Sequence, residues 1–134
     1  VIYDAPDMFA LGVTTVYFTA IDSANNAGSA QATVTVVDQT PPVINLVGNT
    51  SITLSINDNF FEPGFSANDN VDGDLLANVV VSGTVDTSKV GTYALTYAVS
   101  DAAANAATLQ NRQVTVQDSA APEHQVLIMT FNHF

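Results

Sequence analysis

In the stretch GTYALTYAVSD, the apolar residues Tyr93, Leu95, Tyr97 and Val99 stand at alternate positions. Successive side chains of an extended strand point to opposite faces, so this spacing puts all four on one side. The same period of two runs through TSITLSIN, where Ile52, Leu54 and Ile56 share a face while Thr53 and Ser55 turn to water, and through RQVTVQD, with Val114 and Val116. Val, Thr, Ile and Tyr dominate these runs, and Gly, Asn, Asp and Pro punctuate them about every ten residues, which is a pattern of strands and turns. Half-buried strands must cover their apolar faces with a second sheet. The expectation is an all-β chain folded as a sandwich.

The chain also resembles itself. GVTTVYFTAIDSANNAG from Gly12 and GTYALTYAVSDAAANAA from Gly91 share a glycine, alternating apolar residues, an Asp and an Asn, and Gly12 to Asp22 has the spacing of Gly91 to Asp101. Further on, Val34, Val36, Asp38 and Pro42 of VTVVDQTPP match Val114, Val116, Asp118 and Pro122 of VTVQDSAAP. The period is about 80 residues, the size of a small β-sandwich and longer than a solenoid repeat. The second copy is preceded by residues 43–90, for which the first copy has no counterpart. Residues 1–38 therefore read as the C-terminal part of one module, residues 39–119 as a complete module, and residues 120–134 as a linker followed by a candidate first strand of a further module around Val126 and Ile128.

Charge narrows the partners. Two Lys and Arg residues face thirteen Asp and Glu, for a formal net charge of -11. Such a surface repels phosphate backbones and anionic lipid, which argues against nucleic-acid binding, and it attracts divalent cations. With 47% hydrophobic residues in short alternating runs, the chain is not of the disordered acidic type. Cysteine is absent, so disulfides and thiolate chemistry are excluded. No apolar run approaches the ~20 residues that span a bilayer, and the first residues lack a signal-peptide pattern, so membrane insertion is not expected and an export signal is expected outside this sequence.

Two blocks carry a family resemblance. One is Glu62, Gly64, Ala67, Asp69, Asn70, Asp72, Gly73 and Asp74 in FEPGFSANDNVDGD; the other is the V-G-T-Y-x-L-x-Y strand from Val90 to Tyr97. Over residues 41–118 the chain resembles the bacterial immunoglobulin-like repeats of surface proteins and some insecticidal crystal toxins, while residues 1–38 resemble the end of a hyalin-type repeat. The resemblance implies an immunoglobulin-like β-sandwich in tandem modules, extracellular or at the cell surface. Gly91-x-Tyr93-x-Leu95 has the spacing of a tyrosine corner, which makes Tyr93 a structural hydrogen-bonding residue. Both families usually carry D-x-x-G-N after the penultimate strand, whereas Asn25 and Ala104 stand here where the glycine belongs. Asn tolerates a left-handed turn and Ala does not, so the second hairpin is expected to change turn type.

The block around Gly73 imitates a calcium loop but fails as an EF-hand. Counted from Asn68, the position that needs a bidentate Glu is Val79. Two readings stay open for Asp69, Asp72 and Asp74: side chains bonding their own backbone around a positive-φ Gly73, or a looser calcium site whose cation relieves crowded carboxylates. A second candidate lies at the module boundary, where Asp38 precedes Pro41 and Pro42 in a stiff linker. Asp22 or Asp101 from a preceding turn, or Asp58 from the next module, could join Asp38 there around calcium. The candidate metal residues are thus Asp69, Asp72, Asp74, Asp38 and Asp101, with calcium as the expected ion and no other cofactor.

No catalytic constellation stands out. His124 and His133 have no nucleophile beside them, and Glu62 with Asp69, Asp72 or Asp74 would need a cleft to act on a glycoside. The expected function is a non-catalytic structural or adhesive repeat of an exported bacterial surface or fibre protein, partnered by neighbouring repeats, by copies of itself, or by a glycan or other cell-surface ligand. Calcium would rigidify it, and the VLIMTF segment of one copy could complete the sheet of the next by strand exchange. The alternative is a carbohydrate-binding accessory module of a secreted hydrolase, against which stands the absence of Trp.

Overall fold

A computed structural model describes residues 1–118, and the expected strand near Val126, the exchange segment VLIMTF and both histidines lie outside the described residues. The architecture is all-β, with ten strands, β1 (Ile2–Tyr3), β2 (Gly12–Ile21), β3 (Ala27–Val36), β4 (Val43–Leu46), β5 (Ser51–Ser55), β6 (Phe65–Asp69), β7 (Gly73–Asp74), β8 (Val80–Ser82), β9 (Gly91–Ala98) and β10 (Gln110–Gln117). One three-residue 3-10 turn, Leu76–Asn78, follows β7. No helix among the described residues is long and apolar enough to cross a membrane.

Residues 43–117 form a two-layer sandwich. One sheet has the order β5-β10-β9-β8 and the other β4-β6-β7. The close neighbours β4 and β5 fall in different sheets: β4 pairs antiparallel with β6, while β5 runs parallel to β10, from Gln113 opposite Ser51 to Gln117 opposite Ser55. A parallel pair needs a long connection between its strands, and here the rest of the sandwich provides it. The alternation read in the sequence sets the core. Leu95, Tyr97 and Val99 face Ile44, Ala67, Leu75 and Ala107, with Phe65 half-buried against the Tyr97 ring at 5.1 Å between centroids. Val114 and Val116 are buried from β10. Tyr93 acts as the tyrosine-corner spacing implies: its hydroxyl donates to the Lys89 carbonyl at 2.9 Å.

The phase of β10 also delivers a cation to the interior. Arg112 lies two residues before Val114, on the same face, and has no exposed surface. Its guanidinium donates to the carbonyls of Val47 (2.9 Å), Gly64 (3.2 Å) and Asn49 and, through Nε, to the Tyr97 hydroxyl (3.3 Å). Glu62 closes the network as its ion pair at 3.1 Å and accepts the Tyr97 hydroxyl at 2.6 Å. Burial, and then the Glu62 hydrogen bond, raise the Tyr97 pKa above the usual phenol value, with Arg112 opposing. Glu62, weighed above as half of a catalytic carboxylate pair, is thus engaged in holding β10 to the segments that flank β4 and β6.

The first part of the chain is different. β1, β2 and β3 make one antiparallel sheet, with β2 and β3 paired along their whole length from Gly12 opposite Val36 to Ile21 opposite Ala27. Val16 is its buried residue, while Val13, Tyr17 and Ile21 are exposed. Among the described residues no strand outside β1–β3 pairs with this sheet.

Removing Arg112 would leave Glu62 without its counter-charge and take a donor from each of the Val47, Asn49 and Gly64 carbonyls. Arg112→Met is expected to destabilise the chain by about 3–5 kcal/mol, the range for breaking a buried pair. Urea unfolding followed by circular dichroism checks this; an unchanged midpoint would show that the network does not hold the sheets.

Candidate metal centre

Three segments bring the acidic residues together. Asp38 follows β3, Asp69 ends β6, Asp72 lies in the β6–β7 turn, and Asp101 starts the β9–β10 hairpin. One carboxylate oxygen from each lies within 4.8 Å of those of the other three. Asp69 and Asp101 are buried, at 9% and 7% exposure, Asp38 is half-buried and Asp72 is exposed. Asp74 is left out: its Oδ1 accepts the Leu76 N–H at 2.9 Å and opens the 3-10 turn. Asp58 and Asp22 are elsewhere, Asp58 accepting the Ser55 N–H and Asp22 anchoring the β2–β3 turn.

The two readings of the Gly73 block divide between the two oxygens of one side chain. Asp69 Oδ2 accepts the N–H groups of Val71 (2.7 Å) and Asp72 (3.0 Å), while Gly73 takes φ +73° to close the turn. Those two backbone donors, Asp72 first, hold the Asp69 carboxyl below its usual pKa and therefore ionised. Asp69 Oδ1 is buried and has no hydrogen-bond partner among the described residues. Asp38 repeats the arrangement, with Oδ1 accepting the Thr40 N–H at 3.0 Å and Oδ2 buried without a partner. Asp72 Oδ2 accepts the Ala102 N–H at 2.7 Å, tying the β6–β7 turn to the β9–β10 hairpin.

Asn105 connects the hairpin to the linker. Its backbone N–H and side-chain Nδ2 both donate to the Asp101 carboxylate at 2.7 Å, and Nδ2 also reaches the Asp38 carbonyl at 3.2 Å. Asn26 treats Asp22 in the same way, at 2.8 Å for both bonds. The turns match in their backbone too: Asn25 has φ 66° and donates to the Asp22 carbonyl, and Ala104 has φ 68° and donates to the Asp101 carbonyl. The expected change of turn type does not occur. The Asp–Asn pair and the hairpin bonds impose the left-handed conformation on Ala104, whatever its intrinsic preference.

A groove of about 370 Å³ opens beside the cluster, lined by Leu11, Val36 and Val37 from the first sheet and its linker and by Val71, Ala102 and Ala103 from the sandwich loops, with Asp38 and Asp72 in its wall. Sequence reasoning missed the role of Asn105, although the D-x-x-x-N spacing it shares with Asp22 and Asn26 was the available signal.

Comparison with known proteins places the chain. The profile of the family described as bacterial surface protein, Ig-like domain, matches residues 44–116, over half of the chain. The chain belongs to this family. Among solved structures, this bacterial surface Ig-like chain is similar to the lipoprotein BT2262 from Bacteroides thetaiotaomicron, with 31% identity, a TM-score of 0.55, and coverage of 60% of this chain and 40% of that one. Two structures from Clostridium perfringens ZmpB give lower scores. One, of CBM51-2 in complex with GlcNAc and INT domains, has 23% identity and a TM-score of 0.46, covering 57% of this chain and 16% of that one. The other, of the M60 catalytic domain with CBM51-1 and CBM51-2, has 14% identity and a TM-score of 0.47, covering 78% and 15%. The Ig-like chain therefore spans well under half of each. Curated protein sequences give no match.

Two outcomes follow from the hairpins and their acids. Ala104→Gly should stabilise the chain by about 0.5–1 kcal/mol, the left-handed strain less the added freedom of the unfolded glycine; a higher urea midpoint checks it, and a lower one would contradict the strain. The Asn26 amide depresses the Asp22 pKa and the Ser88 hydroxyl depresses that of Asp86, so both groups stabilise the fold above the unfolded Asp value. That contribution is lost as pH falls through their folded values, below about pH 4. A melting temperature recorded from neutral pH downward should drop there, less steeply in Asp22→Asn and Asp86→Asn.

Proposed function

We propose that this chain is a non-catalytic structural repeat of an exported bacterial surface protein, serving as a spacer that sets the distance and direction of whatever it carries. The observation that supports this most is the linker contact: Asp38 follows the first sheet, yet its carbonyl and carboxylate lie among Asn105, Asp101, Asp69 and Asp72 of the sandwich. The side chain of Asn105 therefore bonds across the linker, and Pro42, close behind Asp38, is buried. Such a connection restricts the swing between consecutive units, as a spacer requires and a free hinge does not. Membership in a family of surface proteins favours the same reading.

The carbohydrate-binding alternative would use exposed aromatic side chains, among which Tyr3 and Tyr17 share the first sheet at 67% and 55% exposure and Phe61 stands apart from them in sequence at 78%. Small-angle scattering on one copy and on two copies fused in tandem, together with a glycan array on the same protein, tests the proposal. A spacer gives a maximum dimension that grows by a constant step with each copy, and no selective glycan signal. A compact tandem protein, or selective glycan binding lost in Tyr17→Ala, would overturn it.

A further inference from the structure

We propose that Asp38, Asp69, Asp72 and Asp101 bind one calcium ion at the junction between the first sheet and the sandwich. The binding itself does not depend on the spacer reading, whereas its mechanical consequence does.

Geometry comes first. Oxygens that ligate calcium sit 2.3–2.6 Å from it and so lie at most about 5 Å apart. One oxygen from each of the four carboxylates falls within 4.8 Å of the others, the spread of such a coordination sphere. Its residues are drawn from across 63 positions of sequence, from Asp38 in the linker to Asp101 in the hairpin.

The second observation is independent of the clustering. Asp69 is more than nine-tenths buried, and among the described residues its Oδ1 has no partner although its Oδ2 has two. Asp38 Oδ2 is likewise buried and unpartnered. A buried ionised oxygen without a donor is costly, and native structures leave few of them. These are the oxygens that the turns have not used, on two of the four clustered groups. Side-chain cations do not meet this need among the described residues, since Lys89 pairs with Asp86 and Arg112 with Glu62.

The donor set selects the ion. Carboxylates alone, without imidazole or thiolate, favour hard cations over zinc or copper. Magnesium keeps several waters and takes one or two carboxylates in strict octahedra, while calcium accepts six to eight oxygens in irregular geometry. Four carboxylates converging from two loops and a linker fit calcium, with water or carbonyls completing its shell.

The site spans the linker, so it links binding to orientation. Asp38 is fixed to the end of β3, whereas Asp69, Asp72 and Asp101 belong to the sandwich. An ion held by all four restricts the first sheet relative to the sandwich, and an ion-free cluster repels Asp38 from its neighbours. Calcium would then stiffen the repeat in calcium-rich surroundings.

Calorimetric titration of the whole chain, stripped with EDTA, with calcium and separately with magnesium tests the site. We expect one calcium per chain with a dissociation constant on the order of 10⁻⁵–10⁻³ M, at least tenfold weaker magnesium binding, and a melting temperature that rises with calcium. Asp69→Asn and Asp101→Asn should weaken calcium at least tenfold and remove the thermal shift, and Asp74→Asn should leave both unchanged. Because a buried substitution can unfold the chain, Asp72→Asn at the exposed ligand supplies the same readout. Amide NMR signals of Thr40, Val71, Ala102 and Asn105 should move on calcium addition. No saturable binding up to roughly 5 mM, equal binding of magnesium, or equal weakening by Asp74→Asn would overturn the site. For the mechanical step, spin labels at Gln31→Cys and Val80→Cys should give a distance distribution that narrows with calcium; binding without narrowing keeps the site and refutes the stiffening.

Discussion

The sandwich depends on a cation held in its interior, on the face of β10 that Val114 and Val116 share. Arg112 continues the inward face of β10 from Val116 and Val114, so the strand's alternation commits its side chain to the interior. Taking a charge out of water costs several kcal/mol unless every donor finds an acceptor and the charge finds a counterion. Arg112 meets both conditions, through three backbone carbonyls, the Tyr97 hydroxyl and Glu62. Those carbonyls belong to Val47, Asn49 and Gly64, on either side of the point where the chain leaves β4 for β5 and where it enters β6. The change of sheet between β4 and β5 is therefore fixed from the inside. Without it, β5 could not be presented to β10 in parallel register.

Most of this fold was legible because period-two alternation is a strong signal wherever one face is buried. Tyr93, Leu95, Tyr97 and Val99 behave as their spacing says, as do Val114 and Val116. Arg112 was legible in principle, since it shares their phase, yet charge argues for exposure and only the geometry of distant carbonyls reverses that argument. The hairpin at Ala104 failed for a related reason. Intrinsic preference disfavours Ala in the left-handed region, but preference is worth about 1–2 kcal/mol and competes with two bonds from Asn105 to Asp101 and a matched backbone turn. Asn26 and Asp22 carry out the same turn with Asn25 at the strained position, so the repeat itself was the better guide.

The candidate centre was legible in composition and not in assembly. Asp69 and Asp72 attract notice because they are close in sequence, and Asp38 because it borders a proline pair. Asp74 has the same credentials, but its carboxylate accepts the Leu76 N–H at the start of the 3-10 turn instead. Whether Asp38 meets the others depends on how the linker crosses the sandwich, a tertiary fact that local patterns do not encode. The link is Asn105, which shares one amide nitrogen between Asp101 and the Asp38 carbonyl. A residue that reads as part of a hairpin turn thus also positions the linker.

The block from Glu62 to Asp74, which marks the family most clearly, has two tasks that meet in one strand. Its front end serves the interior: Glu62 neutralises Arg112, the Gly64 carbonyl accepts from it, and Phe65 and Ala67 pack under Tyr97. Its back end serves the junction: Asp69 shapes the turn with one oxygen and keeps the other unspent, and Asp72 reaches the β9–β10 hairpin. Strand β6 connects the two over five residues, with Ala67 at zero exposure between them. A small residue there lets the strand sit close against the core. The same segment that closes the sandwich therefore sets the position of the carboxylates that face the preceding sheet, so core packing and junction geometry are properties of one strand.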